Sequence, residues 1–423
     1  MKSILLLAYA ISPTRGSEYS VGWEFVTNLA KNNKVYFLFG LSGNHMGDTE
    51  EVENYFKENP HPNIFPIAVK PNRLANFINW PNKVGIFGAI FYLAFPFWQK
   101  EAYYVAKKLI ENEKIDVIHH LNPIGFREPG YLWKLDRPFV WGPIGAAMFV
   151  DVALLKNLPI KYQLFYRIKN QINHFQLQYG KRIRYAAEKS VELIFCNTAS
   201  KNNFEKYLGK TGVVISEQGS LKKNFNDLSE QRENIGVLNM VWIGRVSYVK
   251  NIFLLFNVLA LVNHKNKWKL NIIGGGECEE ELKSLAIKLS ISANIVWHGK
   301  KARADAIDLM RKSDLHVMTS LSEANTTVLY EATSLGIPTI SIDRDGMHDT
   351  LANGNGILIP ISTYEETIKR YANKIDQIIE NPKLLAPIKE RTGLMVEEFS
   401  WENKIKQIEL IYEKAINDYG LNN

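Results

Sequence analysis

An α/β chain of two parallel-sheet domains is what this sequence predicts, and three features predict it. The second half alternates strand-length apolar runs with helical stretches, the mark of βα units in a parallel sheet. Apolar runs of the same kind punctuate the first half. The chain has 423 residues, enough for two domains of about 200 residues each. Its 46% hydrophobic and 22% charged residues suit a soluble globular protein.

The elements follow in order. Residues 4–8 are the first strand; the run is too short for the apolar region of a signal peptide. A loop holding Pro13, Arg15, Gly16 and Glu18 comes next, and Gly22-Trp23 opens a helix. Residues 35–39 and 115–120 read as strands, the latter ending in His119-His120. Residues 138–140 make another, followed by Trp141-Gly142-Pro143-Ile144-Gly145 as a loop. The polar stretch 216–236 is the expected domain junction. Beyond it, 241–246 is a strand running into a loop with Arg245, and Lys250-Asn251 precedes an apolar helix. Residues 270–273 run into Gly274-Gly275-Gly276, a tight strand–helix turn without the full G-x-G-x-x-G spacing. A strand at 294–299 and a helix at 305–312 follow, then a strand at 315–319 leading to Glu323. Gly336 fits the position just past a helix end and Pro338 blocks continuation, so a helix is expected over 327–335, with Asn325, Thr326 and Thr327 at its capped start. A buried strand, 339–342, comes after it. Ile405, Ile408, Ile411, Tyr412 and Ala415 give a last helix, 401–415, one face to bury.

The chemistry concentrates around that capped helix. Its free first-turn N–H groups and positive dipole end favour an anion. Glu323 and Glu331, eight positions apart, each suit a pair of hydroxyls. Arg245 offers a bidentate fork and Lys250 a point charge, both suited to phosphate. Together they fit one ligand type, a sugar diphosphonucleoside. The alternative for the two Glu is a solvated turn and a surface helix position, and for the two cations a solvated loop. A non-catalytic nucleotide-sugar or membrane-binding module has the same residues.

The order Gly244-Arg245, Lys250, the glycine turn, Glu323, Glu331, Gly336 and Pro338 resembles the C-terminal domain of a GT-B glycosyltransferase. The resemblance is to the large retaining family with a Glu-x7-Glu motif (glycosyltransferase family 4-like), which includes many bacterial polysaccharide and lipid glycosyltransferases. It implies two Rossmann-like domains facing a central cleft, with the last helix crossing back to the first domain. The domains implied are 1–215 for the acceptor, with the tail 400–423 packed on it, a linker 216–236, and 237–399 for the nucleotide sugar. By resemblance, Gly244, Arg245, Lys250, Asn325, Thr326, Thr327 and Glu331 bind the donor, Arg245 and Lys250 at the diphosphate and Glu331 at the ribose. Glu323 contacts the donor sugar, and Gly16 lies close to substrate. The family places a His near the reacting carbon, often in a His-x-His pattern; here the run is His119-His120-Leu121, off by one residue. Alternating strand faces allow only one of the two into the cleft, and His120 is favoured as catalytic. Two departures stand out. Thr326 replaces a glycine, and Asp345-Gly346-Met347-His348-Asp349 replaces a Gly-Gly-x-x-Glu turn. Retaining, metal-independent transfer follows, with no cofactor beyond the donor.

Asp343-Arg344-Asp345 has the letters of a metal-dependent transferase motif, but it follows the last strong βα unit, so no metal role is expected. Two cysteines, Cys196 and Cys278, argue against a disulfide scaffold or zinc cluster and suit a reducing cytoplasm. The net charge is +7. From Lys156 to Lys189 only Glu188 opposes eight basic residues interleaved with aromatics. No nucleic-acid module accompanies them, so they read as an anionic-membrane contact or as a solvated helix face. The apolar run 84–98, bracketed by Lys83 and Lys100, is too short to span a bilayer and reads as a buried or an interfacial helix. The expected partners are a nucleotide sugar and a saccharide or lipid-linked saccharide, at the inner face of the cytoplasmic membrane.

Overall fold

The computed structural model describes residues 1–220 and 236–422. Most of the expected linker, 221–235, therefore lies outside the described residues. The chain divides into two compact units: 1–147, 175–217 and 401–423 form the first, 148–174 and 218–400 the second.

The first unit holds β1 (Ser3–Ala8), α1 (Glu18–Leu29), β2 (Lys34–Phe39), α2 (Glu50–Glu58), β3 (Ile64–Ala68), α3 (Arg73–Lys83), α4 (Phe91–Asn112), β4 (Val117–Asn122) and β5 (Phe139–Ile144). α5 (Ile160–Tyr179) begins in the second unit and ends in the first. Then come α6 (Lys181–Lys189), β6 (Glu192–Phe195), α7 (Thr198–Leu208) and β7 (Val213–Val214). The strands form one parallel sheet in the order β3-β2-β1-β4-β5-β6-β7. β1, β2 and β4 are buried almost throughout, as central parallel strands covered on both faces must be.

The second unit holds β8 (Leu238–Ile243), α8 (Ile252–Leu261), β9 (Trp268–Ile273), α9 (Glu279–Lys288), β10 (Ile295–Gly299), α10 (Arg303–Arg311), β11 (Leu315–Met318), α11 (Thr327–Ser334), β12 (Thr339–Ile342), α12 (Asp345–Leu351), β13 (Gly356–Ile359), α13 (Tyr364–Glu380) and α14 (Ala386–Glu398). Its sheet is also parallel, in the order β10-β9-β8-β11-β12-β13. α8 is apolar nearly all round and is buried to match. The two units are Rossmann-like, as expected of a GT-B protein.

α15 (Trp401–Asn422) returns to the first unit. Its Ile405, Ile408, Tyr412 and Ala415 enter the same core as Phe25, Val26 and Leu29 of α1.

Two expectations are corrected. The reading that gave 1–215 to one domain misplaces 148–174. Leu154, Leu155, Leu158 and Tyr166 are buried with Trp242, Tyr248 and Phe253, and the Tyr162 and Tyr248 rings stack at 3.6 Å between centroids. Residues 141–144 are strand β5 and not loop. The register with β6 shifts between Trp141 and Ile144; within that interval Gly142, at φ 143°, lies so close to β6 that a Cβ would sit 2.1 Å from the Ile194 carbonyl oxygen. The apolar run 84–98 divides. It is exposed from Val84 to Leu93 except for partly covered Ile90 and Phe91, and buried from Ala94 into α4 except for partly covered Pro96 and Phe97.

Candidate active site

Strand order reverses direction between β8 and β11, and the carboxyl ends at such a switch point are the place where doubly wound sheets bind ligands. The β8 loop carries Gly244, Arg245 and Lys250; the β11 loop carries Glu323. Thr319 clips the loops together by donating to the Asn251 carbonyl at 3.0 Å, and the Leu321 N–H donates to the Val249 carbonyl at 2.8 Å. Asn251 has a left-handed backbone (φ 47°) and its side chain caps α8 at Leu254. The glycine turn after β9 has a steric reason. A Cβ on Gly274 would lie 1.8 Å from the Gly244 carbonyl oxygen, and Gly274 itself has φ 138°.

Charged groups meet at this edge. Lys250 Nζ donates to Glu323 Oε1 at 2.5 Å, both side chains largely covered. Arg303 Nε donates to Glu331 Oε1 at 2.7 Å; the carboxylate is buried and the arginine is exposed. Arg245 is exposed and makes no ion pair among the described residues. His316, beneath on β11, bonds Thr339 and is held neutral; burial first, then the Lys250 charge, pushes its pKa down to about 3. Asp345 is raised above the usual carboxylate range by burial, against the pull of Arg344 at 3.0 Å.

α11 begins beside Glu323. Thr326 is its N-cap, and its hydroxyl closes no capping bond. The Thr327 hydroxyl donates to Gln218 Oε1 at 3.1 Å, and Asn325 Oδ1 accepts from the Tyr330 and Thr350 hydroxyls, each at 3.4 Å. Glu331 sits one turn in. The helix ends in a Schellman arrangement: Ile337 N–H bonds the Ala332 carbonyl, Gly336 N–H bonds that of Thr333, and Gly336 is left-handed at φ 65°. The unusual Asp345-Gly346 sequence has its own packing reason, because a Cβ on Gly346 would sit 1.8 Å from the Ala324 carbonyl oxygen.

The first unit has the corresponding edge between β1 and β4. Asn122, at the end of β4, accepts from Ala10 N–H at 3.0 Å and donates to the Ala10 carbonyl at 2.8 Å. Glu18 accepts from Ile124 N–H at 3.2 Å, and burial raises its pKa. Gly16 is exposed, has no positive φ, and would meet nothing within 4 Å if it carried a Cβ, so no turn geometry requires glycine there. His119 is used structurally: Nδ1 lies 2.6 Å from Tyr412 Oη and Nε2 2.6 Å from the Gly142 carbonyl oxygen. His120 does not reach a surface. It is fully buried, neither ring nitrogen has a hydrogen-bond partner of ordinary geometry, and Gly130 packs against its ring. Burial, then the charges of His119 and Arg182, pushes it down to about 3. The alternation of strand faces holds: His119 turns to Tyr412 of the last helix and His120 to Gly130, and both rings are covered.

Sequence reasoning missed Arg303, Glu18 and Asn122. Arg303 opens α10, two residues before the expected helix start, and the basic cluster Lys300, Lys301, Arg303 at a strand end was its available signal. Glu18 and Asn122 had none, since a tertiary contact defines them. Among the described residues no three His, Cys, Asp or Glu side chains gather as a metal site. Asp343 pairs with His348 at 2.6 Å and Asp345 with Arg344.

Residues 210–413 match the family model described as glycosyl transferases group 1. An uncharacterized glycosyltransferase of Methanocaldococcus jannaschii is 24% identical over 315 residues, 74% of this chain and 79% of that protein. The lipopolysaccharide outer core galactosyltransferase WaaB superposes with a TM-score of 0.63 at 15% identity, over 100% of this chain and 99% of that one. HepE from Anabaena, solved in complex with UDP-glucose, gives a TM-score of 0.59 at 16% identity over 98% and 100% of the two chains. The structures establish the GT-B fold, and the family match together with the relative supports glycosyl transfer.

Proposed function

We propose that the protein is a retaining, metal-independent glycosyltransferase that moves a hexose from a nucleoside-diphosphate sugar to a saccharide or lipid-linked saccharide. The pathway is surface polysaccharide biosynthesis (capsule, O-antigen or exopolysaccharide). The observation that carries the donor half is the paired edge of the second unit, where Lys250 meets Glu323 and Arg303 meets Glu331. These carboxylates are covered, and each is already paired with a cation. A donor brings its own diphosphate for Lys250 and Arg245 and its own hydroxyls for Glu323 and Glu331, so each buried charge keeps a partner when the ligand enters.

In this reading Arg245, Lys250 and the α11 N-terminus neutralise the departing diphosphate as its charge develops. Glu331 takes the ribose diol and Glu323 the hydroxyls of the transferred sugar. Gly244, Asn325, Thr326 and Thr327 line the phosphates, with the Thr326 hydroxyl replacing backbone approach at a position where glycine is usual in the resembled family. The leaving phosphate oxygen takes the acceptor proton. The acceptor belongs to the first unit, near Gly16, and a lipid-linked acceptor places the protein peripherally on the cytoplasmic membrane. WaaB, by its name, acts on lipopolysaccharide, and HepE was solved with UDP-glucose, which supports both halves of the reading.

The test is a thermal-shift screen of nucleotide sugars, followed by a nucleoside-diphosphate release assay with and without chelator. Donor-dependent release, unchanged by chelator and accompanied by transfer to a saccharide acceptor with the anomeric configuration kept, is expected. Binding of UDP-sugars with no release in the presence of any acceptor would leave the non-catalytic binding module.

A further inference from the structure

We infer that the helical hairpin formed by α3, its connecting segment and the first turn of α4 is a docking surface for an anionic lipid bilayer. This deepens the peripheral-membrane part of the reading above and stands apart from its donor chemistry.

The hairpin is built inside out. On α3 the buried positions are Ala75 and Asn79, one turn apart, and Asn82 donates to the Asn79 side chain at 3.1 Å. The opposite face presents Leu74, Phe77 and Trp80 to solvent. A helix of a water-soluble protein has its apolar stripe on the covered side. The connection adds Ile86 and Phe87, and Leu93 follows at the start of α4; Phe77 is 79% exposed, Ile86 72% and Leu93 62%. Scattered exposed apolar residues need no explanation, but a run of this length in one hairpin marks an interaction surface.

The base of the hairpin is fixed while its rim is bare. Asn72 caps α3 at Ala75 N–H (2.8 Å) and donates to Glu101 of α4 at 2.8 Å. Further along α4, Phe95 and Trp98 are fully buried on Tyr9, and Trp98 Nε1 donates to the Val69 carbonyl at 2.8 Å. The apolar rim is therefore held outward by a rigid element.

Charge identifies the occupant. No Asp or Glu occurs between Glu58 and Glu101, whereas Arg73, Lys83 and Lys100 fall inside that interval. Lys83 directly precedes the exposed connection, and Lys100 lies over the Phe97 ring at 5.5 Å. Cations flanking a rim of Trp, Phe and Leu fit a surface that is anionic outside and hydrocarbon beneath, where amphipathic rings settle at the headgroup level. Among the described residues no helix is long and apolar enough to cross a membrane, so the hairpin lies in the interface and does not span it.

Sedimentation of the full chain with vesicles tests this, using phosphatidylcholine alone and phosphatidylcholine with phosphatidylglycerol, at low and high salt. The wild type should pellet with the anionic vesicles and less so as salt rises. The triple variant Phe77→Ser, Trp80→Ser, Phe87→Ser should partition at least tenfold less, with an unchanged melting temperature because all three side chains are exposed. The pair Arg73→Gln, Lys83→Gln should lose the preference for anionic vesicles. The inference is overturned if the triple variant pellets like the wild type, or if the wild type pellets with neither lipid. It is also overturned if lipid-free light scattering shows a dimer that the triple variant abolishes, since the rim is then an interface between copies. UDP titration of the same samples separates the two readings. Vesicle binding without UDP binding sinks the donor site alone, and UDP binding without vesicle binding sinks the hairpin alone.

Discussion

The carboxyl edges of β1 and β4 in the first unit and of β8 and β11 in the second occupy the same place in the same kind of sheet, yet their chemistry differs. The second edge carries paired full charges, Lys250 with Glu323 and Arg303 with Glu331. The first is centred on the two covered histidines of β4. His119 is tied to Tyr412, His120 is buried without a partner, and Glu18 is raised by burial. Topology supplies the switch point, and the side chains there decide what it does. The glycines differ in the same sense. Gly274 has no room for a side chain, while Gly16 stands in open space.

The largest effect expected is on Gly274. Gly274→Ala forces a Cβ onto the Gly244 carbonyl at a left-handed φ and should cost about 2–4 kcal/mol of stability in denaturant unfolding. A loss below about 0.5 kcal/mol, the level of ordinary surface changes, would show that the loops move apart freely.

Acid comes next and acts on both sheets, since burial lowers His316 of the second as well. Burial lowers His119 to about 4 and His120 to about 3, from an ordinary 6.5. The unfolded chain then binds protons that the folded chain refuses, so stability is full above pH 6.5 and falls as pH drops toward 4. Each such histidine contributes about 1.4 kcal/mol per pH unit in that window. His120→Gln should remove one proton from that slope, measured by urea unfolding from pH 7 to 4.5. An unchanged slope would mean that water reaches the ring.

At the charged edge, Arg245→Ala and Lys250→Ala should each lower turnover at least tenfold, about 1.4 kcal/mol in barrier. Near-native rates in both, with the fold intact by circular dichroism, would remove them from the diphosphate. Subtler is the division between the carboxylates. Glu331→Gln should weaken UDP binding in calorimetry several-fold, whereas Glu323→Gln should leave it and impair transfer. The reverse pattern would exchange their roles.

The smallest effect is the most pointed. Gly16→Ala should leave stability within about 0.5 kcal/mol, because nothing touches the added methyl. If Gly16 lies against substrate, turnover falls all the same; unchanged turnover would detach this loop from the reaction.

Local signals carried much of the fold and the charged edge. Strands such as β9 and β12 are short apolar runs between glycine, proline or helix caps, and α11 announces itself by hydroxyl residues before it and Gly336-Ile337-Pro338 after it. Arg245, Lys250, Glu323 and Glu331 were legible because their order along βα units is itself the pattern. β3 was not, since Pro66 argues against a strand unless the strand lies at a sheet edge, and β3 does.

By itself, then, the sequence determined the alternation, the parallel sheets and the residue types at the second edge, all of which depend on neighbours a few positions apart. The tertiary structure alone decided which faces were covered. Whether His120 met solvent depended on Gly130 packing against its ring, and the allegiance of 148–174 depended on Tyr162 finding Tyr248. Arg303 became part of the site only when α10 brought it to Glu331. The outward face of α3 was likewise beyond any periodicity, because a helical repeat shows that two faces differ and only packing shows which of them is left to water.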